Sequence, residues 1–150
     1  MPLSVVVAGI EKTVSSASLI VAGVAKTVRR VEAWNGSAWK VVKNFAPAFS
    51  ASVSVPEVYG VSTAPGGGFV TTNSVTVTPS GGLAPYTYAW SLVSGASATA
   101  QSPTFATTTF RANVGPSDSV VSTFACLVTD SLGQNSAPTV FATFSNFSTS

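Results

Sequence analysis

The stretch that decides the fold is GGLAPYTYAWSL, residues 81–92. It opens with two glycines and a proline, which are typical of a turn. Four large apolar side chains then recur at every second position: Tyr86, Tyr88, Trp90 and Leu92. Because successive side chains of a strand point to opposite faces, this alternation predicts a strand that turns these four residues toward a core.

Similar alternation occurs on both sides of this stretch. Val75 and Val77 alternate with threonines before it, and residues 105–110 are predicted to form a threonine-rich strand after it. Two later strands have inward faces made of Phe124, Cys126 and Val128, and of Val140, Ala142 and Phe144. Short strands separated by frequent turn signals predict an all-β sandwich over residues 46–150, with seven or eight strands and no helix. Its core candidates are Trp90, Tyr88, Cys126 and Phe124.

Two landmarks in this region carry a family resemblance. GGLAPYTYAW, residues 81–90, and CLVTDSLG, residues 126–133, resemble the immunoglobulin-like and polycystic-kidney-disease-like domains of phage virion proteins and bacterial surface proteins. The resemblance implies that Trp90 occupies the position of the buried tryptophan of that fold. It also implies that Cys126 lies near the position of the second cysteine of an antibody domain. Cys126 is the only cysteine, so the resemblance is to the disulfide-free branch.

The first 45 residues repeat with a period of 14, since Lys12, Lys26 and Lys40 fall in one column. Each copy has a run of β-branched residues, a glycine step and a second run. Self-similarity at a fixed period indicates a repeated structural unit, and β-branched residues favour strands. Asn35-Gly36 is a strong hairpin-turn signal. The repeat therefore predicts three successive β-hairpins, a β-meander over residues 1–45 that serves assembly or anchoring.

This N-terminal part is basic, whereas the rest of the chain has one basic residue and three acids. Its six lysines and arginines are too dispersed to favour nucleic acid. They are interpreted as solvated strand faces, with docking onto an acidic partner as the alternative. The two tryptophans either pack in a core or subunit contact, or stack on a sugar or a partner. The interface candidates are Trp34, Trp39, Lys12, Lys26, Lys40, Arg29 and Arg30.

A second resemblance comes from VEAWNGSAWK, residues 31–40, which is similar to the W-N-G-x-W-K repeats of phage tail and fibre proteins. Together the two resemblances imply a structural component of a phage virion, in the tail, tail tip, neck or fibre. Its partners are expected to be its own copies, with a trimer as one option, and other virion proteins. Exposed strand edges are expected to pair with neighbouring sheets. The alternatives are a capsid decoration protein, and a carbohydrate-binding or adhesin module of a bacterial surface protein with a host-surface glycan as partner.

Several classes of function are disfavoured by composition. The chain has no histidine, which removes the commonest general base and metal ligand, and its acids are scattered. We therefore expect no enzyme activity, no metal and no cofactor. Charged residues make up only 8% of the chain, which favours a protein that neighbours cover after assembly. No basic leader begins the chain, and residues 13–25 form too short an uncharged run to span a membrane, which needs about 20 residues. The prediction is synthesis in the host cytoplasm without a signal peptide, no membrane insertion, and location in the virion.

Overall fold

The structure, a computed structural model, describes residues 17–21, 24–28, 30–34, 37–44 and 48–148. The chain divides into two compact units, Met1–Pro47 and Ala48–Ser150. All regular elements in the described residues are strands, so the all-β prediction is confirmed. Within the same residues, no helix is long and apolar enough to cross a membrane. The strands are β1 Ala17–Val21, β2 Val24–Val28, β3 Arg30–Trp34, β4 Trp39–Asn44, β5 Ser50–Val53, β6 Glu57–Ser62, β7 Gly68–Thr71, β8 Val75–Ser80, β9 Thr87–Gly95, β10 Ala98–Ala100, β11 Thr107–Thr108, β12 Phe110–Val114, β13 Asp118–Thr129, β14 Asn135–Ser136 and β15 Thr139–Asn146.

The first unit contains two antiparallel hairpins, β1–β2 and β3–β4. Leu19 pairs with Lys26 in the first, and Ala33 pairs with Lys40 in the second, fourteen positions later in both strands. The two described copies therefore share one register from Ser18 to Ile20 and from Glu32 to Trp34, and a shift between Val31 and Glu32 ends the correspondence. Within the described residues they form separate two-stranded sheets, whereas the repeat predicted one continuous meander. The predicted hairpin of the first copy lies outside the described residues.

The second unit is a sandwich of two layers. One layer is a five-stranded sheet in the order β14-β13-β15-β6, with β9 on β13. The other combines two three-stranded sheets, β10-β12-β7 and β11-β8-β5. The first strand of the sandwich is split between the layers, because β5 pairs with β8 while β6 pairs in parallel with β15. This strand arrangement matches that of the immunoglobulin fold, so the predicted immunoglobulin-like β-sandwich is confirmed.

The core lies between the layers, and its centre is aromatic. Phe110 of β12 stacks on Phe124 of β13, with ring centroids 3.9 Å apart, and meets Trp90 of β9 edge-on at 5.4 Å. Phe110 and Phe124 are almost fully buried, Trp90 is 6% exposed, and Cys126 beside them has no exposed surface. Tyr88 is half-buried and packs at the margin of the core. The inward positions expected in β8, β13 and β15 are also buried.

One side chain is more exposed than its face suggests, and one expectation is wrong. Leu92 pairs with the core residue Phe124 and so shares the face of Trp90, but it is 41% exposed beside a bulge in the pairing of β9 with β13. Residues 105–110 do not form one strand but a loop end followed by β11 and the start of β12. The Phe105 side chain is exposed, while its carbonyl accepts a hydrogen bond from the Trp90 indole at 3.0 Å, which holds the loop against β9.

A buried carboxylate ties together two loops at one end of the sandwich. Asp130, in the turn after β13, is 5% exposed. Its oxygens accept hydrogen bonds from the backbone amides of Leu83, Leu132 and Gln134 at 2.8–2.9 Å and from the Gln134 side chain at 2.9 Å. Gly82 has a φ of +64°, and a Cβ there would lie 2.8 Å from Asp130 Oδ2. The loop between β8 and β9 thus needs glycine to approach the carboxylate.

We expect acidification to weaken the fold through Asp130. Burial alone would raise the pKa of Asp130, but the hydrogen bonds from Gln134, Leu83 and Leu132 outweigh it and hold this pKa below its ordinary value of 3.8. A carboxyl with a lowered folded pKa stabilises the fold above its unfolded pKa, and this stabilisation is lost as the pH falls through the folded pKa. Urea denaturation should therefore show the free energy of unfolding of the wild type decreasing below about pH 4.

Asp130→Asn should lower this free energy at pH 7 and flatten its decline in acid. Asp118→Asn is the matched control, because Asp118 is exposed and accepts only the adjacent Ser119 amide at 2.7 Å among the bonds of the described residues. Equal acid sensitivity in Asp130→Asn and wild type would contradict this assignment.

A matched pair of phenylalanines tests the core. Phe124 is 1% exposed, whereas Phe141, on the neighbouring strand, is 49% exposed. Phe124→Ala should lower the free energy of unfolding by about 3–5 kcal/mol, because it leaves a cavity under Phe110. Phe141→Ala should cost no more than about 1 kcal/mol. Denaturation followed by near-ultraviolet circular dichroism measures both, and equal losses would show that the core has been assigned to the wrong face.

Candidate binding surface

In the described residues, no group of three or more cysteines, aspartates or glutamates is placed to hold a metal ion. Burial raises the pKa of the Cys126 thiol to about 11, so the thiol stays protonated at neutral pH. A protonated, inaccessible thiol is a poor nucleophile.

The interface candidates from sequence fall on the hairpin unit. Trp34 and Trp39 are direct cross-strand partners beside the turn of the β3–β4 hairpin. The register thus brings the two tryptophan positions together, which their spacing in sequence had left open. Arg30 and Lys40 lie on the same hairpin, opposite Asn44 and Ala33, and Lys26 lies on the other. Lys12 and Arg29 lie outside the described residues.

A different surface emerges on the sandwich. The side of the five-stranded sheet that faces away from the core is called the outer face here, and its positions alternate with the core positions of β6, β9, β13 and β15. Large apolar side chains on it are strongly exposed. They are Val61 at 64%, Tyr59 at 54%, Val121 at 51%, Phe141 at 49% and Leu127 at 46%.

Strand register makes the centre of the outer face contiguous. Thr143 of β15 pairs with Tyr59 on one side and Val121 on the other. Phe141, two positions earlier on β15, pairs with Thr123 of β13. Tyr59 and Val121 are therefore diagonal neighbours of Phe141, at the roughly 7–8 Å over which aromatic side chains still touch. Three strands that are distant in sequence thus build one apolar patch.

The outer face carries almost no charge. Glu57 is the one charged residue among its outward positions, and it pairs with Phe141 at the margin of the sheet. Its carboxylate accepts a hydrogen bond from the Tyr59 hydroxyl. This hydrogen bond raises the pKa of Tyr59, so the phenol is neutral at physiological pH. The opposite layer differs, because its exposed Phe69 lies 4.0 Å beneath the guanidinium of Arg111.

The margins of the five-stranded sheet are partly closed by their own chain. On β6, the Tyr59 amide donates to the Asn73 side chain at 2.8 Å, and the Tyr59 carbonyl accepts from the Asn73 amide at 3.0 Å. On β9, the Trp90 amide donates to the Pro103 carbonyl at 2.8 Å. Backbone groups satisfied in this way cannot pair with another strand. These backbone groups of Tyr59 and Trp90 are therefore not free to pair with a neighbouring sheet, and edge pairing elsewhere stays a prediction.

A small cleft of about 310 Å³ lies where β13 begins and β15 ends. Most of its polar groups are bonded within the chain, since the Ser117 hydroxyl donates to the Ser148 carbonyl and the Asn146 amide donates to the Ala64 carbonyl at 3.0 Å. The cleft is lined by Ser117, Asp118, Ser119, Asn146, Phe147 and Ser148. Such internal pairing leaves few groups to orient a ligand, so the outer face is the stronger candidate.

Comparison with protein families gives a match over part of the sandwich. The family model of the SprB repeat, a bacterial surface and gliding-related repeat, matches residues 71–98, from the end of β7 to the beginning of β10. The matched segment contains the first of the two sequence landmarks, residues 81–90. Searches of curated proteins and of solved structures found no match. Over residues 71–98 the chain is therefore similar to a repeat of bacterial surface proteins, and no comparison points to a phage particle.

Proposed function

We propose that this chain is a non-enzymatic binding module of a bacterial surface protein, of the adhesin type, and that the outer face makes its contact. The observation that carries the proposal is the concentration of five large, exposed apolar side chains on one nearly uncharged sheet face. Exposed apolar patches of this kind typically mark interaction sites. The similarity of residues 71–98 to the SprB repeat supports the bacterial-surface setting.

The contact would be driven by removing apolar surface from water, at about 25 cal/mol per Å² of apolar area. The sheet beneath the outer face is held by continuous ladders between β13, β15 and β6. A rigid face loses little conformational freedom on binding, so more of the burial energy remains as affinity. Binding through this face therefore requires no chemically reactive side chain.

The hairpin unit is proposed to attach the module. Its two described hairpins repeat the same pairing at an interval of fourteen residues, and the second places Trp34 opposite Trp39. Isolated two-stranded hairpins are marginally stable in water, so a repeat of them favours a partner that covers one face. That partner is proposed to be a copy of the same unit or the anchoring protein.

A second candidate is the virion component predicted from sequence, in the tail, neck or fibre or as a capsid decoration protein. What favours it is the similarity of residues 31–40 to phage tail repeats, on a segment that does form a hairpin. Both settings use the chain as a displayed protein that binds other molecules. They differ in the particle that carries it.

The location of the chain, on cells or in phage particles, distinguishes a bacterial surface module from a virion component. Antibodies against the full chain should label intact cells that carry the gene as strongly as permeabilised ones if the chain is a bacterial surface module. Mass spectrometry of purified phage particles from the same culture should then not detect it. Enrichment in particles would select the virion instead, and label confined to permeabilised cells with no chain in particles would contradict both.

The outer face is tested by a charge placed in it. Phe141→Lys in the purified full chain should weaken binding to intact cells carrying the gene at least about tenfold, because it introduces an unpaired charge into a desolvated contact. Phe105→Lys is the matched control, since Phe105 is 68% exposed but lies in the loop before β11. Titration by flow cytometry gives the apparent Kd values, and equal values for the two variants would show that the contact lies elsewhere.

A further inference from the structure

We propose that the occupant of the outer face is the outer face of a second copy of this chain, so that two sandwiches pack sheet against sheet. This inference rests on the proposed function, whose contact surface it uses, and adds the identity of the partner. It is carried by the charge, the area and the shape of the face.

The near absence of charge on the outer face favours a partner whose surface is also uncharged. The outward positions of the five-stranded sheet hold apolar, serine, threonine and alanine side chains, and Glu57 is the one charged group among them. A strongly charged partner would gain no ion pair there except at Glu57 and would pay to desolvate its own charges. A second outer face brings the same uncharged surface and adds only one more carboxylate. Since each Glu57 is on the marginal strand β6, it can remain hydrated.

The area of the face is sufficient for a weak dimer. Four strands, β9, β13, β15 and β6, spaced about 4.8 Å apart make a width of roughly 19 Å. The eight residues of β15 at about 3.3 Å each make a length of roughly 26 Å. One face therefore covers roughly 500 Å², and two in contact bury about 1,000 Å², near the lower limit of specific protein interfaces. This predicts an equilibrium that depends on concentration rather than a permanent dimer.

The shape of the face also favours another sheet. Small ligands bind in concave pockets that surround most of their surface, whereas this face is a sheet surface on which Tyr59, Val121 and Phe141 project as a row of neighbours. Facing sheets pack about 10 Å apart by interdigitating such side chains. In a two-fold pair the same patch lies on both sides, so aromatic and β-branched groups from one copy fill the spaces between those of the other.

The experiment is sedimentation velocity on the purified full chain between about 1 and 500 μM. This range brackets the micromolar-to-millimolar Kd expected of a small interface. The wild type and Phe105→Lys should show the same rise in weight-average mass with concentration. Phe141→Lys and Val121→Lys should need at least about tenfold higher concentration for the same rise. Circular dichroism is used to check that every variant is folded. If a lysine variant is unfolded, Val121→Thr is used in its place, because threonine keeps β-branching and strand propensity without adding charge.

Glu57→Gln is an independent test, because this variant is expected not to weaken association between copies, unlike the lysine variants. It removes the carboxylate that opposes burial but keeps an acceptor for the Tyr59 hydroxyl, so association should be equal or tighter than in the wild type. If the partner of the face were cationic, this change would weaken the contact instead.

Three results would overturn the proposal: a monomeric wild type at every concentration, association that Phe141→Lys and Val121→Lys leave unchanged, or association weakened by Glu57→Gln. Its failure can be told apart from failure of the proposed function. A monomeric chain that still binds cells through Phe141 retains the binding module and only loses the second copy as its partner. A chain that dimerises through this face but is found neither on cells nor in particles retains the dimer and loses the proposed function.

Discussion

The sandwich depends on one aromatic contact that crosses between its layers. Phe110 comes from the layer that contains β12, while Phe124 and Trp90 come from the five-stranded sheet, and the three rings meet at 3.9 and 5.4 Å. An immunoglobulin domain commonly joins its layers at this depth with a disulfide beside a buried tryptophan. Here Cys126 is a free thiol, so non-covalent packing, together with hydrogen bonds such as that from the Trp90 indole to the Phe105 carbonyl, holds the layers together. The loss of any of these rings removes contacts that no covalent bond replaces.

The loops and edge strands of the sandwich are held in place by contacts that do not involve the aromatic core. Asp130 joins the two loops at one end, and Gly60 lets β6 approach β7 of the other layer so closely that a Cβ would lie 2.6 Å from the Thr71 carbonyl oxygen. Asn73 and Pro103 then satisfy backbone groups of the marginal strands. Together these contacts link the loops at one end of the sandwich and partly close the edges of the five-stranded sheet. The broad outer face is left as the surface open to a partner.

Local patterns in the sequence predicted the parts of the fold that obey local rules. Alternation in β8, β13 and β15 identified the inward residues because a period of two determines the face of each strand. The fourteen-residue repeat predicted hairpins, and β1–β2 and β3–β4 are the two that the described residues show. The exposure of Leu92 could not be predicted, since the bulge beside it depends on the pairing with β13. The Asp130 network was also missed, because its donors at Leu83 and Gln134 lie on loops that meet only after folding.

The outer face could not be predicted from the sequence for a related reason. Sequence shows that Tyr59, Val121 and Phe141 alternate with core positions, but only the parallel pairing of β6 with β15 makes them neighbours. The low charge of the chain predicted a surface that neighbours cover after assembly, and this stays a prediction. The hydrogen bonds of Asn73 and Pro103 occupy the edges of the five-stranded sheet in part. Because the outer face is nearly uncharged and rich in exposed apolar side chains, the proposed contact is placed on this face rather than on the edges.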